Sequence, residues 1–263
     1  MNEFIDQLGR PVFLSSTPKR IISLVPSQTE LLFDLGLEKE VIGITKFCIH
    51  PEHRVKHTQK IGGTKTLDLE RIRKLKPDLI IGNKEENEKE QIECLMSEFP
   101  VWMSDIYTLK DAISMIEKIG VLTGKSANAS NLSAEISEKF NLLNSAKQSK
   151  ASVAYLIWKN PYMVAGRNTF INEILKIGGW ENVFKDSRYP IITADDLRRK
   201  SPDMIFISSE PYPFAEKHIK EFKEICPNAK TIIIDGELFS WYGSRLKYTA
   251  DYLMKLKDHI SII

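Results

Sequence analysis

Two segments of the chain repeat one pattern of helix, Pro-Asp turn and strand, and this repeat is the strongest constraint on the fold. Residues 69–81 read LERIRKLKPDLII and residues 194–206 read ADDLRRKSPDMIF. Superposing the two Pro-Asp turns aligns Glu70 with Asp195. A duplicated unit of this kind predicts two similar α/β lobes. The alternative is that helix, Pro-Asp turn and strand is a common local arrangement that recurs without duplication.

Short apolar runs alternate with helical segments along the rest of the chain. A hairpin is expected around Gly9, and buried strands are expected at 20–25 and 41–45. The helix between these strands has Ser27 and Glu30 at the spacing of a capping box. Strand, helix and strand in this order favour parallel sheets with crossover helices. The predicted fold class is therefore α/β with mainly parallel sheets.

The middle of the chain predicts one long helix. Residues 109–145 keep an apolar face from Ile113 to Leu143, and no proline interrupts it. At 1.5 Å per residue, a continuous helix of this extent would reach roughly 50 Å, which exceeds one lobe, so it is expected to bridge two. The predicted domains are an N-terminal α/β lobe at 1–108, a bridging helix at 109–147 and a C-terminal α/β lobe at 148–263.

The composition excludes several classes of protein. The chain has 37 basic and 35 acidic residues, a net charge of +2 and 42% hydrophobic residues. A disordered chain has fewer apolar residues and a larger net charge, and a nucleic-acid-binding protein usually has a basic excess. No apolar run approaches the roughly 18 residues that a membrane span needs. No nucleic-acid partner is therefore expected.

The amino terminus and the cysteines favour a reducing compartment. The first residues, MNEFIDQLGRPVFL, do not combine a basic stretch with an apolar one, so no secretory signal is visible. Cys48, Cys94 and Cys226 lie far apart without C-x-x-C spacing, which does not suggest a disulfide framework or a structural zinc site. An odd number of cysteines fits the cytosol. The protein is expected to be cytosolic as written, or to have lost a leader.

Aromatic, amide and charged side chains gather directly after the predicted strands. In two α/β lobes that face each other, the carboxyl ends of the strands line a ligand cleft. Any one of these residues can be explained as an ordinary loop residue, and it is their clustering that favours a site. The candidates at these positions are Phe47, His50, Asn83, Glu85, Asn87, Trp158, Tyr162, Trp241, Tyr242 and Arg245.

Several segments spread over nearly the whole chain carry a family resemblance. They include residues 18–30 (PKRIISLVPSQTE), 69–81, 166–174 and 178–188, in collinear order around the predicted long helix. With them the chain resembles substrate-binding proteins of ABC importers for cobalamin and iron-siderophores, the helical-backbone metal receptors, and most closely the cobalamin-binding branch. The resemblance implies two Rossmann-like lobes bridged by one long helix, with the ligand between the lobes. It also implies a protein that acts in the periplasm or is lipid-anchored outside the membrane.

The resemblance implies two permease-docking residues. Each lobe of the family docks on the permease through one surface carboxylate, and Glu70 and Asp195 occupy those positions here. Two symmetric carboxylates can meet two symmetric permease subunits. The alternative is that each residue is an ordinary exposed acid that the helix dipole favours in a first turn.

The ligand side departs from the cobalamin pattern. Asn83 stands where well-known members have a tryptophan, and Ile191 stands where another is usual. Arg245 matches an arginine of the family's cleft. Two expected corrin-contacting tryptophans are therefore missing, and the run at 84–87 (KEEN) suggests a more polar ligand or a metal chelate.

Three histidines within eight residues, His50, His53 and His57, raise the question of a metal site. Histidine clusters bind transition metals or the axial position of a metal macrocycle. A solvated loop is the alternative, because Pro51 and polar residues surround them. His50, nearest the strand end, is the candidate metal ligand. Gly124-Lys125-Ser126 lacks the preceding glycine of a phosphate loop, so that motif is rejected.

Two functions follow from these observations. The first is a monomeric binding protein without intrinsic cofactor or catalysis, which captures a metal chelate (corrinoid, haem or siderophore) for an ABC permease. Stacking is expected from Phe47, His50, Trp158, Tyr162, Trp241 and Tyr242, and polar contacts from Glu85, Asn87, Arg188 and Arg245. The second is a cytosolic enzyme or metal-cofactor handling protein on the same fold, which the missing leader motivates. No nucleophile, base and orienting acid stand out as a set.

Overall fold

The structure is a computed structural model that describes residues 1–144 and 151–262. The chain forms two compact units, each assembled from several segments. Unit 1 comprises Met1–Ile106, Lys110–Glu135 and Tyr242–Arg245. Unit 2 comprises Tyr107–Leu109, Ile136–Trp241 and Leu246–Ile263.

Helices and strands alternate along the chain, as the sequence pattern predicts. The first half contains β1 (Asn2–Ile5), β2 (Pro11–Leu14), β3 (Ile21–Ser23), α1 (Pro26–Asp34), β4 (Val41–Ile44), α2 (Glu52–Val55), β5 (Gln59–Lys60), α3 (Leu69–Leu75), β6 (Leu79–Asn83), α4 (Lys89–Met96), β7 (Val101–Ser104) and α5 (Leu109–Leu122). The second half contains α6 (Ser126–Asn144), β8 (Ser152–Trp158), β9 (Tyr162–Val164), α7 (Phe170–Ile177), β10 (Glu181–Asn182), β11 (Ile191–Ile192), α8 (Ala194–Lys200), β12 (Met204–Ser208), α9 (Glu216–Ile225), β13 (Lys230–Ile234), α10 (Glu237–Ser240) and α11 (Leu246–Ile262).

Unit 1 contains a parallel sheet with the strand order β5-β4-β3-β6-β7. Its central strands are buried on both faces: Ile21, Ile22, Ile80 and Ile81 have no exposed surface. Strands covered by helices on both faces need continuous apolar runs, which is why β3 and β6 lack polar alternation. β1 and β2 pair separately as an antiparallel hairpin, so the predicted hairpin around Gly9 is confirmed.

Unit 2 contains a mixed sheet with the order β11-β9-β8-β12-β13, and β10 also pairs with β8. β8, β10, β12 and β13 are parallel. β9 pairs antiparallel with β8, and β11 pairs antiparallel with β9. One part of its core is aromatic. The ring centroids of Trp180 and Phe206 are 5.2 Å apart, and those of Tyr155 and Phe239 are 5.3 Å apart. The predicted α/β class with mainly parallel sheets is confirmed.

The internal repeat has the same structure in both units. α3 and α8 each span seven residues, and each ends at a residue in the left-handed conformation, Lys76 at φ 48° and Ser201 at φ 43°. Proline follows both residues, and because it disfavours right-handed helical geometry in the residue before it, each helix ends there. The strand after each Pro-Asp turn, β6 or β12, is a central strand of its sheet.

The aspartate of each Pro-Asp turn holds the start of the neighbouring strand. The carboxylate of Asp78 accepts the backbone N–H groups of Lys19 and Arg20 at 2.7 and 2.9 Å, just before β3. The carboxylate of Asp203 accepts the backbone N–H and the hydroxyl of Ser152, both at 2.7 Å, at the start of β8. Equivalent contacts at equivalent places support a duplicated unit over a coincidental local likeness.

The capping box predicted at the start of α1 is wrong. Val25 is the N-cap of α1 without a side-chain cap, and Pro26 is already helical, so Ser27 and Glu30 form no capping box. Proline suits the first helical position because its fixed φ is helical and its missing N–H is not needed there. Ser27 and Glu30 are both buried inside the helix.

The predicted single helix at 109–147 is two helices, α5 and α6, and its last residues lie outside the described part of the chain. Gly124 adopts φ +71°, which favours glycine, and ends α5. The N–H groups of Gly124 and Lys125 donate to the carbonyls of Val121 and Gly120 at 3.3 and 2.7 Å, the hydrogen bonds of a Schellman motif. Among the described residues, no helix has the length and apolar character that crossing a bilayer requires.

Candidate functional site

In unit 1, two buried amides organise the loop that follows β6. Asn83 is 2% exposed, and its Nδ2 donates to Ser104 Oγ at 2.9 Å. Its Oδ1 accepts the backbone N–H groups of Glu85 and Glu86 at 2.8 and 3.1 Å. Asn87 Oδ1 accepts the N–H of Asn83 at 2.9 Å. The two amides therefore act by shaping this loop, and the direct ligand contacts predicted for them stay a prediction.

The segment Tyr242–Arg245 belongs to unit 1 and lies against α1 and the β6 loop. Tyr242 is 6% exposed, and its hydroxyl donates to Glu86 Oε1 at 3.3 Å. A Cβ on Gly243 would come within 2.7 Å of the backbone oxygen of Ser27, so only glycine permits this approach. The predicted candidates Tyr242 and Arg245 are thereby placed beside the carboxyl ends of the unit 1 strands.

Arg245 makes a two-pronged ion pair with Glu30. Its Nε donates to Oε2 at 2.9 Å and its Nη2 to Oε1 at 2.6 Å. The side chains are only 14% and 11% exposed. Burial raises the pKa of the Glu30 carboxyl, and the hydrogen bonds and charge of Arg245 act in the opposite direction. Sequence reasoning missed Glu30 because it assigned that residue to a capping box.

The loop after β4 carries an exposed aromatic ring followed by a buried thiol. Phe47 is 51% exposed, and Lys46 Nζ lies 5.1 Å from its ring centroid. Cys48 is 2% exposed and lies within 3.1 Å of the hydroxyl of Thr29; burial raises the pKa of its thiol. His50 is half-buried. In the part of the chain that the structure describes, no three His, Cys, Asp or Glu side chains form a metal-binding group, so His50 as a metal ligand stays a prediction.

In unit 2, an aromatic cluster lies at the carboxyl ends of β8 and β12. It consists of Trp158, Tyr162, Tyr212, Phe214, His218 and Phe222. Trp158 is 39% exposed and meets Tyr212 edge to face at 5.7 Å, and Tyr212 packs on Phe214 at 4.7 Å. Sequence reasoning named Trp158 and Tyr162 and missed Tyr212, although Tyr212 also follows a predicted strand, which was the available signal.

Tyr162 is held by a polar group at the same edge. Its hydroxyl donates to Glu221, and Lys159 forms an ion pair with the same carboxylate. Burial raises the pKa of the Tyr162 phenol, and the neighbouring Glu221 carboxylate raises it further. The hydroxyl of Tyr162 is therefore held by Glu221, and the ligand contact predicted for Tyr162 stays a prediction.

Trp241 is buried and hydrogen-bonded in unit 2. It is 7% exposed, and its Nε1 donates to Glu210 Oε1 at 2.9 Å, as does Ser240 Oγ at 2.8 Å. Burial raises the pKa of the Glu210 carboxyl, and the charges of Glu237 and Asp235 raise it further. The stacking role predicted for Trp241 stays a prediction, and its contact here holds the segment after α10.

Arg188 and the two predicted docking residues lie outside these clusters. Arg188 is half-buried at φ +68°. Its backbone N–H donates to the carbonyl of Arg167, and its carbonyl accepts the N–H of Gly166, both at 2.7 Å. Glu70 and Asp195 are 76% and 74% exposed. Each forms an ion pair with the arginine three residues later, Arg73 or Arg198. The repeat therefore presents an acid in the same local setting on each unit.

Known proteins resemble this chain over most of its length. The family model described as "Periplasmic binding protein" matches residues 21–225. A vitamin B12-binding protein of Pectobacterium carotovorum is 24% identical over 243 residues, covering 90% of this chain and 87% of the relative. The periplasmic vitamin B12-binding protein of Vibrio cholerae has a TM-score of 0.81 at 20% identity, covering 94% of this chain and 98% of that one. The periplasmic haem-binding protein of the same organism has a TM-score of 0.77 at 20% identity, with 90% and 98% covered.

The family match bears on the two functions that the sequence left open. It covers well over half of the chain, including both copies of the internal repeat. The family consists of solute receptors rather than enzymes, so the binding-protein hypothesis is favoured over the enzyme alternative. This chain belongs to the periplasmic binding protein family.

Proposed function

We propose that this protein is the solute-binding component of an ABC importer and that its ligand is a metal chelate of the corrinoid or haem type. The observation that carries the proposal is the match with a vitamin B12-binding protein over 90% of this chain and 87% of the relative. The haem-binding neighbour shares the fold, which extends the proposed ligand class from corrinoids to other flat metal macrocycles.

Exposed rings at the carboxyl ends of the strands support a flat ligand. Phe47 in unit 1 and Trp158 in unit 2 are 51% and 39% exposed, whereas most large apolar side chains are buried. Aromatic faces gain from offset stacking on a conjugated ring, and an exposed aromatic ring at a predicted binding edge is available for such stacking. Tyr212 supports the Trp158 ring from the side.

The polar residues suggest that fewer aromatic side chains and more polar side chains contact the ligand than in cobalamin-binding proteins that hold the corrin with tryptophans. Asn83 is buried and bonded within its loop, and Ile191 is 65% exposed, so neither position supplies an indole. The loop instead carries Glu85 and Glu86, and Arg188 is half-buried in unit 2. Such side chains suit the amides of a corrinoid or the carboxylates of haem.

Glu70 and Asp195 are proposed as the permease-docking residues. Their exposure and their equivalent positions in the repeat suit contact with two related membrane subunits. Arg73 and Arg198 already neutralise part of each charge, but surface pairs of this kind are weak and can exchange partners. The permease itself is proposed from the family alone.

The test is a titration of the purified full-length protein with cyanocobalamin, haemin and a ferric hydroxamate siderophore. Absorbance spectra report the ligand's environment, and native mass spectra report stoichiometry. One chelate bound per chain, at micromolar concentration or below and without product formation, supports the proposal. Failure of all three to bind at micromolar concentration contradicts the metal-chelate assignment, and turnover of a chelate would restore the enzyme alternative.

A further inference from the structure

A cavity of about 420 Å³ lies in unit 1 at the amino ends of the strands. Arg20 directly precedes β3, Val41 begins β4, Gln59 begins β5, and Leu75 ends α3, and all four line this cavity. In unit 1, Phe47, which is proposed to contact the chelate, follows β4 instead. Because the strands of this sheet are parallel, the cavity lies at the end of the sheet opposite to Phe47.

The cavity combines a cationic side with an apolar wall. Its basic side chains are those of Arg20, Arg54, His53 and His57, and its acid is Glu38. The apolar wall consists of Phe33, Val41, Ile42 and Leu75, of which Phe33 and Val41 are 6% and 5% exposed. The lining therefore offers two guanidinium groups against a single carboxylate.

The hydrogen bonds of the lining leave donors available. Arg20 Nε and Nη2 donate to the backbone oxygen of Leu75, and Nε also reaches that of Lys76, so its guanidinium is held in place by the end of α3. Arg54 has a loose pair with Glu38, Nη2 to Oε1 at 3.5 Å, and both side chains are exposed. Within 1–144 and 151–262, neither His53 nor His57 has a hydrogen-bond or ion-pair partner for its imidazole.

We propose that this cavity binds a small organic oxyanion, a phosphate or carboxylate group carried on an apolar body. Guanidinium groups match both oxyanions in geometry, and each imidazole can add an N–H donor. The apolar wall and the volume favour an organic anion over a bare inorganic one, since covering the wall removes apolar surface from water. Two histidines four residues apart are also a metal-binding spacing, but two guanidinium groups in the same cavity repel a cation.

The inference is tested by isothermal titration of the full-length protein with phenyl phosphate, inorganic phosphate and phenol. Phenyl phosphate is expected to bind about ten-fold more tightly than inorganic phosphate because it also covers the apolar wall, and phenol is expected not to bind. Arg54→Gln is expected to weaken phenyl phosphate binding about ten-fold, the loss typical of one charged hydrogen-bond donor. Glu38→Gln is expected to strengthen it several-fold, because the carboxylate that competes for Arg54 is removed.

Lys56→Gln is the matched control, because Lys56 lies in the same turn, pairs with Glu52 and does not line the cavity. The inference is supported if Arg54→Gln weakens phenyl phosphate binding and Lys56→Gln leaves that binding unchanged. No binding of phenyl phosphate by the wild type, or equal losses in both variants, would overturn it. Binding of Zn²⁺ alone, lost in His53→Gln, would replace the anion site by a metal site. None of these outcomes depends on whether a chelate binds.

Discussion

Glu30 and Arg245 lie 215 residues apart in the chain and form a bidentate ion pair in unit 1, with N···O distances of 2.6 and 2.9 Å. The pair fastens the segment Tyr242–Arg245 onto α1, beside the loop that follows β6. Arg245 was predicted as a ligand contact, and its charge is already paired with a carboxylate at low exposure. Its first role is therefore to hold this segment of unit 1 in place.

Removing one partner of this pair should be costly. Arg245→Ala leaves the Glu30 carboxylate buried without its partner, and we expect the free energy of unfolding to fall by about 3 kcal/mol. Urea denaturation followed by circular dichroism measures the change. Lys19→Ala is the control, since the Lys19 side chain is 71% exposed and lies 3.9 Å from Glu40, and a loss below about 0.5 kcal/mol is expected there. Equal effects of the two substitutions would contradict a structural role for Arg245.

Glu210→Gln should stabilise the protein in a pH-dependent manner. The folded-state pKa of Glu210 is raised by burial, and by Glu237 and Asp235. The contribution of Glu210 to the free energy of unfolding is therefore fully present below its unfolded-state pKa. That contribution is lost as the pH rises through the folded pKa. Glutamine keeps the acceptor for Trp241 and Ser240 without the charge. Thermal melts should therefore show the variant above the wild type at pH 8 and no difference near pH 4; a constant difference would argue against the raised pKa.

Loss of the exposed rings should weaken chelate binding. Trp158→Ala and Tyr212→Ala each remove part of the unit 2 aromatic cluster, and we expect affinity for the bound chelate to fall roughly ten-fold, about 1.4 kcal/mol. Fluorescence quenching or absorbance titration gives the dissociation constants. Tyr248→Ala is a matched control, because Tyr248 is 51% exposed on α11 and contacts Lys247. If the wild type binds and all three variants bind as tightly, the cluster is not the ligand surface.

Charge reversal at the two repeat positions should separate binding from transport. In the double variant Glu70→Arg and Asp195→Arg, chelate affinity should be unchanged, whereas import through the cognate ABC permease should fall by an order of magnitude or more. Uptake of labelled chelate by cells that carry the permease is the measurement. Glu216→Arg, an exposed first-turn acid of α9, is the control and should transport normally. Normal import by the double variant would rule out docking through these carboxylates.

In the repeat, the local structure was predictable from the sequence. The Pro-Asp turns, the apolar strands after them and the first-turn acids are local, and all lie where the pattern predicts. The break at Gly124 inside the predicted long helix was missed, although glycine is a common C-terminal stop of a helix. The two-residue strands β5, β10 and β11 had no signal, since two residues are too few to show a period.

For some of the candidate residues the sequence predicted the position relative to a strand but not the orientation of the side chain. Phe47 follows β4, Asn83 ends β6 and Trp158 ends β8, as the pattern predicted. Whether such a side chain faces outward depends on its neighbours: Phe47 and Trp158 are exposed, whereas Asn83 and Trp241 are 2% and 7% exposed and bonded internally. Glu30 was assigned to a cap from its spacing to Ser27. Its actual partner, Arg245, comes from the far end of the chain and could not be identified from a local pattern.

By itself, the sequence determined the α/β class, the duplicated helix, turn and strand, and the strand ends at which the candidate site residues were sought, because apolar periodicity and proline act through neighbours in the chain. Only the tertiary structure decided which of these side chains are exposed, that Arg245 pairs with Glu30, and that Arg20, Arg54, His53 and His57 line one cavity. The physical reason is that burial and charge pairing depend on contacts between segments distant in sequence, which no local pattern encodes.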